Sequence, residues 1–448
     1  MPDAGTLIVG LGATGRSVLR HLLARGERPA LADTRVAPPG IDALRAEHPD
    51  LRIATGPLSA ELLTGFDRIV LSPGVALAEP AVQAALAAGV EVIGDIELFA
   101  RIARAPVIAI TGSNGKSTVT TLVAEMARTD GVDVRVGANL GEPALDLLGD
   151  AEPALYVLEL SSFQLETTRS LRARAACVLN VSPDHMDRYA TLDDYAGAKR
   201  RVYAGAQTVV VNLDDPRTAS GPVAAEVVGF TLGRPRNGRE FGRIERDGRL
   251  FLACGSDSWM AVDDLALAGA HNQANALAAL ALGTAAGLSR EAMVATLRRF
   301  RGLAHRTQPV GRRGGIDWYD DSKGTNVGAT LAAIEGLAAI LPDAARVVLI
   351  AGGQGKGQAF DALAEPVRRY VRGVVLIGED APKIEAVLPP GTAIAHADSM
   401  PAAVEAAARF AQPGDAVLLS PACASFDMFN GYADRGDRFQ RAVRERFA

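Results

Sequence analysis

Val107-Ile108-Ala109-Ile110-Thr111-Gly112-Ser113-Asn114-Gly115-Lys116-Ser117-Thr118, followed by the helical pattern of residues 119–128, is the stretch on which the fold turns. Residues 107–110 are continuously apolar, with no polar alternation. A strand buried on both faces of a parallel sheet reads this way. A glycine loop comes next, then a helix. That order makes a phosphate cradle: backbone N–H groups surround an anion at a helix N-terminus, Lys116 can reach the β- and γ-phosphates, and Ser117 can touch Mg²⁺. The spacing departs from the common P-loop, which has glycine where Ile110 stands.

The same alternation extends in both directions. Apolar runs at 6–9, 68–71, 156–160, 176–181, 208–212, 346–351, 374–377 and 416–420 are separated by alanine- and leucine-rich helical runs. The class is therefore α/β, with helical crossovers between parallel strands. At about 150 residues per domain, 448 residues suggest three domains. Breaks at Ala105-Pro106 and at Arg298-Arg299-Phe300-Arg301-Gly302 divide the chain in that way. The expected plan is a Rossmann-like domain over 1–94, a central P-loop-type ATPase domain with a parallel sheet over 95–302, and a C-terminal Rossmann-like domain over 303–448. Residues 233–259, rich in Gly, Arg and polar residues, read as a β-hairpin excursion within the central domain.

Composition narrows the function. Hydrophobic residues make up 48%, with 46 glycines and 24 prolines, as in ordinary globular proteins. Lys plus Arg is 47 against 52 for Asp plus Glu, a net −5, which argues against nucleic acid as the main partner. A local basic pocket for one anion remains open. Cys177, Cys254 and Cys423 are far apart and form no CxxC pair, so neither a disulfide framework nor a zinc site is suggested. The most apolar helical run, 276–288, is shorter than the roughly 20 residues a membrane span needs. The first residues, Met1-Pro2-Asp3-Ala4-Gly5, lack the n- and h-regions of a signal peptide. A cytoplasmic location with no membrane partner is the expectation.

Chemistry-bearing residues cluster after the apolar runs. Gly10-Leu11-Gly12-Ala13-Thr14-Gly15 follows the run at 6–9, with Asp33 further along. This pattern suits a nucleotide diphosphate at a helix N-terminus, without saying which nucleotide. Glu159 ends one run, and Ser182-Pro183-Asp184-His185-Met186-Asp187 follows another. An acid and a histidine there can hold Mg²⁺ directly or through water, although Mg²⁺ prefers oxygen. Lys199, on a helical stretch at 192–203, reads by itself as part of a solvated basic face. His305-Arg306, the segment Asp320-Asp321-Ser322-Lys323-Gly324-Thr325-Asn326, the loop at 352–357 and the loop at 420–426 gather lysine, arginine and hydroxyls that suit carboxylates and phosphates. Arg435, Arg438, Arg441 and Arg444, spaced by three, read as a solvated helix face.

Taken together, these strings resemble the Mur ligases. Residues 111–118 look like the short phosphate loop that Mur ligases share with folylpolyglutamate synthetases. Glu159-Leu160-Ser161-Ser162-Phe163-Gln164-Leu165, residues 180–188, Gly269-Ala270-His271-Asn272, Asp321-Ser322-Lys323 and residues 420–425 complete the pattern. Asp33-Thr34-Arg35, Ser72-Pro73-Gly74 and Gly94-Asp95-Ile96-Glu97-Leu98-Phe99 are similar to the D-glutamate-adding branch. The resemblance implies an ATP-dependent amide ligase of peptidoglycan precursor synthesis, acting in the cytoplasm as a monomer. It would join D-glutamate to UDP-N-acetylmuramoyl-L-alanine through an acyl phosphate.

The resemblance also assigns roles. Thr14, Asp33, Thr34 and Ser72 would lie near UDP, with Asn139 at the diphosphate. Gly112, Ser113, Asn114, Gly115, Lys116, Ser117 and Thr118 would hold the ATP phosphates. Ser117 and Glu159 would bind one Mg²⁺, His185 and a carbamylated Lys199 a second. Asn272, Arg306 and Asp321 would contact ATP, and Lys323 the acyl phosphate. Thr325 and Lys356 would take the α-carboxylate of D-glutamate, Ser425 and the region of Tyr432 its γ-carboxylate. Lys116, His185, Lys199 and Lys323 would be the catalytic set. Thr307 and Tyr432 stand where phenylalanine is usual, and Ser182-Pro183 replaces a Thr/Ser-Glu pair. Among rival readings, an NAD-dependent dehydrogenase leaves residues 112–118 unexplained. A nucleotide-switched binding protein leaves Asp321-Ser322-Lys323 unexplained, and a folylpolyglutamate-type ligase would lack a UDP-binding first domain.

Overall fold

The computed structural model describes residues 5–267 and 269–447. Each apolar run of the sequence becomes a strand, within three residues at either end. The first sheet holds β1 (Thr6–Val9), β2 (Ala30–Asp33), β3 (Ile53–Thr55), β4 (Arg68–Leu71) and β5 (Glu91–Ile93), in the order β3-β2-β1-β4-β5 and all parallel.

The second sheet comprises β6 (Val107–Thr111), β7 (Val134–Ala138), β8 (Leu155–Glu159), β9 (Ala175–Val178), β10 (Thr208–Asn212), β11 (Glu226–Phe230), β12 (Glu240–Arg246), β13 (Arg249–Cys254) and β14 (Asp257–Ala261). Its order is β14-β13-β12-β11-β10-β9-β6-β8-β7. The segment read as a hairpin excursion is the antiparallel edge β12–β14. It continues the same sheet, because β12 pairs in parallel with β11 at Gly229–Glu240 and Phe230–Phe241.

The third sheet contains β15 (Gln308–Arg313), β16 (Ile316–Asp320), β17 (Val347–Gly352), β18 (Val371–Ile377), β19 (Ala393–His396) and β20 (Ala416–Leu419), in the order β15-β16-β20-β17-β18-β19. Only β15 runs antiparallel to its neighbour. Its strands show why the runs are continuously apolar. Leu349, Ala351, Val374, Leu376 and Leu418 enter one core, while the alternate residues Val348, Ile350, Val375, Val417 and Leu419 enter another. Side chains point alternately to the two faces, and helices cover both.

The chain packs as two compact units. One is Met1–Asn180, Asp193–Ala261 and Ala276–Leu297; the other is Val181–Leu192, Val262–Asn275 and Arg298–Ala448. The first two sheets share a unit because specific polar contacts pin them. On the helix Ala13–Ala24, Ser17 Oγ donates to Asp146 Oδ1 at 2.8 Å and Arg20 to Asp146 Oδ2 at 2.6 Å. On the helix Asp95–Ala100, the Glu97 carboxylate accepts from Arg169 N, Ser170 N and Ser170 Oγ at 2.7, 2.8 and 2.6 Å. Among the described residues, no helix is long and apolar enough to cross a membrane.

Candidate functional site

Ligands in open α/β sheets collect outside the carboxyl ends of the strands, and the candidate residues sit there. In the first sheet, β1 runs into the turn at Gly10, whose φ is 95°. Gly15 has no room for a side chain: a Cβ would lie 1.8 Å from the Gly10 carbonyl oxygen. Helix and turn are therefore pressed together, as a pyrophosphate-binding turn requires. At the end of β2, Asp33 is buried and accepts from Leu11 N at 2.8 Å. It also takes a bidentate pair from Arg35 Nε and Nη2, both at 2.8 Å. The Arg35 guanidinium, with help from Leu11 N, holds the Asp33 carboxyl down at about 2 despite burial. Ser72 Oγ, after β4, donates to Gly10 O at 3.0 Å. Thr14 opens the following helix, and Thr34 is exposed just past β2. Asp33 and Ser72 thus brace the glycine turn from both sides.

In the second sheet, β6 feeds residues 112–118 into the helix Lys116–Thr129. Gly112 has φ 155° and Gly115 φ 82°, the latter a left-handed turn that glycine adopts without strain. No side chain caps this helix. Its first-turn N–H groups and its positive dipole end suit a phosphate. Lys116 Nζ donates to Gly112 O at 2.8 Å and Ser113 O at 2.9 Å. Asn180, beyond β9, receives Ser113 N on its backbone oxygen and Asn114 N on its side-chain oxygen.

Glu159 ends the neighbouring β8 and is buried. Its Oε1 accepts from Asn139 Nδ2 at 2.6 Å, while Oε2 is buried with no hydrogen-bond partner. A buried carboxylate oxygen without a donor is costly unless something positive meets it, so this oxygen fits a hard cation. Among the described residues, no three His, Cys, Asp or Glu side chains form a ready cage. Mg²⁺ commonly takes one or two carboxylates and fills its shell with phosphates and water.

Lys199 differs from its bland reading as a surface cation. It is 1% exposed on the helix Leu192–Arg200, its Nζ donates to Gly112 O at 2.9 Å, and it lies 4.2 Å over the Tyr195 ring. The lysine shares the buried face of that helix with Tyr195, Ala196 and Ala198. Two lysines, 116 and 199, thus converge on one carbonyl of the phosphate loop.

The second unit carries a different chemistry, that of carboxylates. Lys356 Nζ pairs with Asp184 Oδ1 at 2.9 Å, and Asn326 Nδ2 donates to Asp184 Oδ2 at 3.1 Å. Burial alone would raise the Asp184 carboxyl. Lys356, His185 and Asn326 outweigh it and bring it below the usual range. His185 itself is partly exposed, 3.7 Å from Asp184. Thr325 precedes Asn326, the N-cap of the helix Val327–Ala338.

Asp321, after β16, is buried and accepts from Ser420 Oγ at 2.6 Å and Thr307 N at 3.0 Å. Burial pushes its carboxyl up to about 6, against the pull of Ser420, Thr307 and Arg306. The unusual Thr307 also bonds Asp321 through its hydroxyl at 3.3 Å. Lys323 Nζ lies 3.8 Å over the ring of Tyr432, whose backbone oxygen accepts from Ser322 Oγ at 2.7 Å. Ser425 is buried after β20. Asn272 lies in the first turn of the helix Ala270–Ala286.

Arg435 corrects the reading of the C-terminal arginines. Arg438, Arg441 and Arg444 are exposed, but Arg435 is 0% exposed. Its guanidinium donates to Ser322 Oγ and O and to Cys423 O at 2.8–3.1 Å. Its five-donor planar fork lets one side chain serve both loops. Burial pulls its pKa down to about 10, so it stays charged.

One further signal was not readable in the composition. Of the seven non-glycine residues with positive φ among the described residues, Ala138, His185, His305, Thr307, Lys356 and Ala422 all lie in or beside these loops. Such conformations persist where surrounding structure over-determines them, most often at working sites.

Comparisons with known proteins agree with this layout. Residues 4–94 match the Mur ligase MurD-like N-terminal domain, 110–283 the Mur ligase middle domain, and 305–423 the Mur ligase glutamate ligase domain. A Nitrosococcus oceani protein named UDP-N-acetylmuramoylalanine--D-glutamate ligase is 53% identical over 443 residues, 99% of this chain and 97% of that protein. A Pseudomonas putida protein of the same name is 52% identical, covering 98% and 97%. Among solved structures, the UDP-N-acetylmuramate-alanine ligase MurC of Thermotoga maritima superposes with a TM-score of 0.61 at 17% identity, covering 99% of each chain. That last likeness speaks for the fold alone. Three family domains matched in order, and sequence likeness along nearly the whole length, leave one conclusion: the chain belongs to the Mur ligase family.

Proposed function

We propose that the chain is an ATP-dependent ligase that adds D-glutamate to UDP-N-acetylmuramoyl-L-alanine, a step of peptidoglycan precursor synthesis. The observation that carries the reading is identity above half, over nearly full length, with proteins that bear that name. The residues supply the needed chemistry. A carboxylate is a poor acyl donor until one of its oxygens becomes a leaving group. The γ-phosphoryl of ATP passes to that oxygen, the neutral amine of D-glutamate attacks the carbonyl carbon, and phosphate departs.

In this reading Thr14, Asp33, Thr34, Ser72 and Asn139 serve the UDP substrate. Residues 112–118, with Lys116, orient the ATP phosphates and offset their charge. Ser117 and Glu159 would hold Mg²⁺, which supplies charge neutralisation on phosphate oxygens when bound. His185 and Lys199, the latter as a carbamate giving the oxygen donors Mg²⁺ prefers, would serve a second Mg²⁺. In the second unit, Asn272, Arg306 and Asp321 serve the nucleotide and Lys323 the acyl phosphate. Thr325 and Lys356 serve one carboxylate of D-glutamate, Ser425 and Tyr432 the other. A monomer working in the cytoplasm completes the reading. The domain limits 1–94, 95–302 and 303–448 are part of the same proposal.

The test is phosphate release from ATP with each co-substrate omitted in turn. Fast release is expected only with UDP-N-acetylmuramoyl-L-alanine and D-glutamate together. Vigorous hydrolysis with neither, or equal rates with L-glutamate, would sink it.

A further inference from the structure

Three loops of the second unit carry the residues assigned above to the two carboxylates of D-glutamate: residues 323–327, residues 353–358 and residues 420–425. One side chain joins all three. Gln358 is buried, and its amide is used at both ends. Its Nε2 donates to the backbone oxygen of Ala422 at 2.6 Å. Its Oε1 accepts the backbone N–H of Val327 at 3.1 Å. That N–H opens the helix Val327–Ala338 and so has no acceptor within the helix. Ala422 in turn donates its N–H to Gly324 O at 2.9 Å, which closes the ring of loops. Ala422 is fully buried at φ 59°, a conformation that an alanine keeps only under outside constraint. A primary amide donates from its nitrogen and accepts on its oxygen, whereas neither a carboxylate nor a thioether can make both bonds.

Gln358 lies two residues from Lys356, Val327 two residues from Thr325, and Ala422 three residues from Ser425. The first two sites face one carboxylate in the proposed reading and the last faces the other. We infer that Gln358 is a positioning residue that sets the separation of the two carboxylate-binding segments, and thereby the preference for glutamate over the shorter aspartate. The inference rests on the D-glutamate reading. Gln358 does not touch the substrate itself; it acts through Ala422 and Val327. Without it, the loop at 420–425 is free to shift relative to Thr325 and Lys356. A ligand that spans both sites suffers from that shift, while a shorter diacid that cannot span them does not.

The experiment compares the full-length wild type with Gln358→Met and Gln358→Glu. Gln358→Met removes both bonds. Gln358→Glu keeps the length and the acceptor for Val327 N–H, while its second oxygen cannot donate to Ala422 O and repels it, so it decides the matter if the methionine variant does not fold. Steady-state phosphate release gives KM and kcat for D-glutamate, and D-aspartate is titrated as a competitor for its Ki. The expected result is a KM for D-glutamate raised about tenfold or more, the size of effect that follows when a buried polar pair is left unmade. The kcat should fall less than KM rises, and the Ki of D-aspartate should stay within about twofold.

A Val367→Ala core variant of the same unit serves as the stability control. It should lower Tm without moving KM. A KM within twofold of wild type in the folded variants would overturn the inference. So would an equal weakening of D-glutamate and D-aspartate, or a matching KM rise in the Val367→Ala control. A wild type that shows no D-glutamate-dependent phosphate release overturns the functional reading first, before any variant is made.

Discussion

Two lysines illustrate how much a single position can carry. Lys116 bonds the carbonyls of Gly112 and Ser113, so it is partly held by its own loop. Lys116→Ala removes no core packing and should leave Tm nearly unchanged. Its kcat should drop about 10²–10³-fold or more, as when a preorganised charge contact to a transition state is removed. A folded variant with near-normal kcat would show that residues 112–118 do not hold ATP. Lys199 is a sharper case, because its ammonium is buried against Tyr195 and Gly112 O. Lys199→Ala is expected to be almost inactive and to regain part of its rate with added acetate, which restores an oxygen donor. Lys199→Arg should be equally inactive, since it keeps a cation and cannot become a carbamate. Substantial activity in Lys199→Arg would remove the second metal site from the proposal.

At the scale of an element, the glycine turn after β1 separates two roles that its motif merges. Gly15 sits where a Cβ would meet Gly10 O at 1.8 Å, whereas nothing lies within 4 Å of a Cβ on Gly12. Gly12 has φ −75°, which any residue adopts. Gly15→Ala should therefore cost about 1–3 kcal/mol through overpacking, read as a shifted urea midpoint. Gly12→Ala should leave that midpoint close to wild type and instead raise the KM for the UDP substrate, because the bare backbone there lets the pyrophosphate approach. Equal stability losses in the two variants would contradict this division. The helix Tyr432–Arg446 teaches the same point about local reading. Its arginines repeat every three residues, a spacing that says nothing about which one faces the core. Gly436, packed against His305 and Asp320, lets that helix approach, and Arg435 beside it is the one turned inward.

For the whole molecule, buried carboxylates set how stability responds to pH, and they act with opposite signs. Burial would raise the Glu97 carboxyl, but hydrogen bonds from Ser170, Arg169 and Arg101 outweigh it and bring it from 4.5 to about 2. A depressed carboxyl stabilises the fold above its unfolded value and loses that contribution as pH falls through its folded value. Glu97 therefore supports the fold fully above pH 4.5 and progressively less toward pH 2. Burial drives Asp95 the other way, from 3.8 to about 6, with Gln164 opposing. Asp95 therefore burdens the fold above pH 6, and the burden fades between pH 6 and 3.8. Urea unfolding across pH should show Glu97→Gln less stable at pH 7 and flatter than wild type between pH 4.5 and 2. Asp95→Asn should be flatter between pH 6 and 3.8. An acid limb unchanged by Glu97→Gln would mean that its bonds to Arg169 and Ser170 do not survive in solution.

Local pattern alone determined the α/β class, the positions of the apolar strands and the phosphate loop at 112–118. Strands buried on both faces must be continuously apolar, and a phosphate-binding turn needs glycine and lysine at neighbouring positions. It also placed the candidate residues after the strands, since loops at the carboxyl ends follow directly in sequence. Tertiary structure decided which polar residues are buried. Lys199 and Arg435 are cations that local pattern places on solvated faces; Arg438 and Arg441 are indeed exposed, while Lys199 and Arg435 are buried, and only tertiary packing turned them inward. It decided, too, that Asp184 meets Lys356 and that Gln358 meets Val327 and Ala422. Those partners are separated by up to 172 positions, and no periodicity in a chain records a contact that exists only when distant loops are brought to the same end of a sheet.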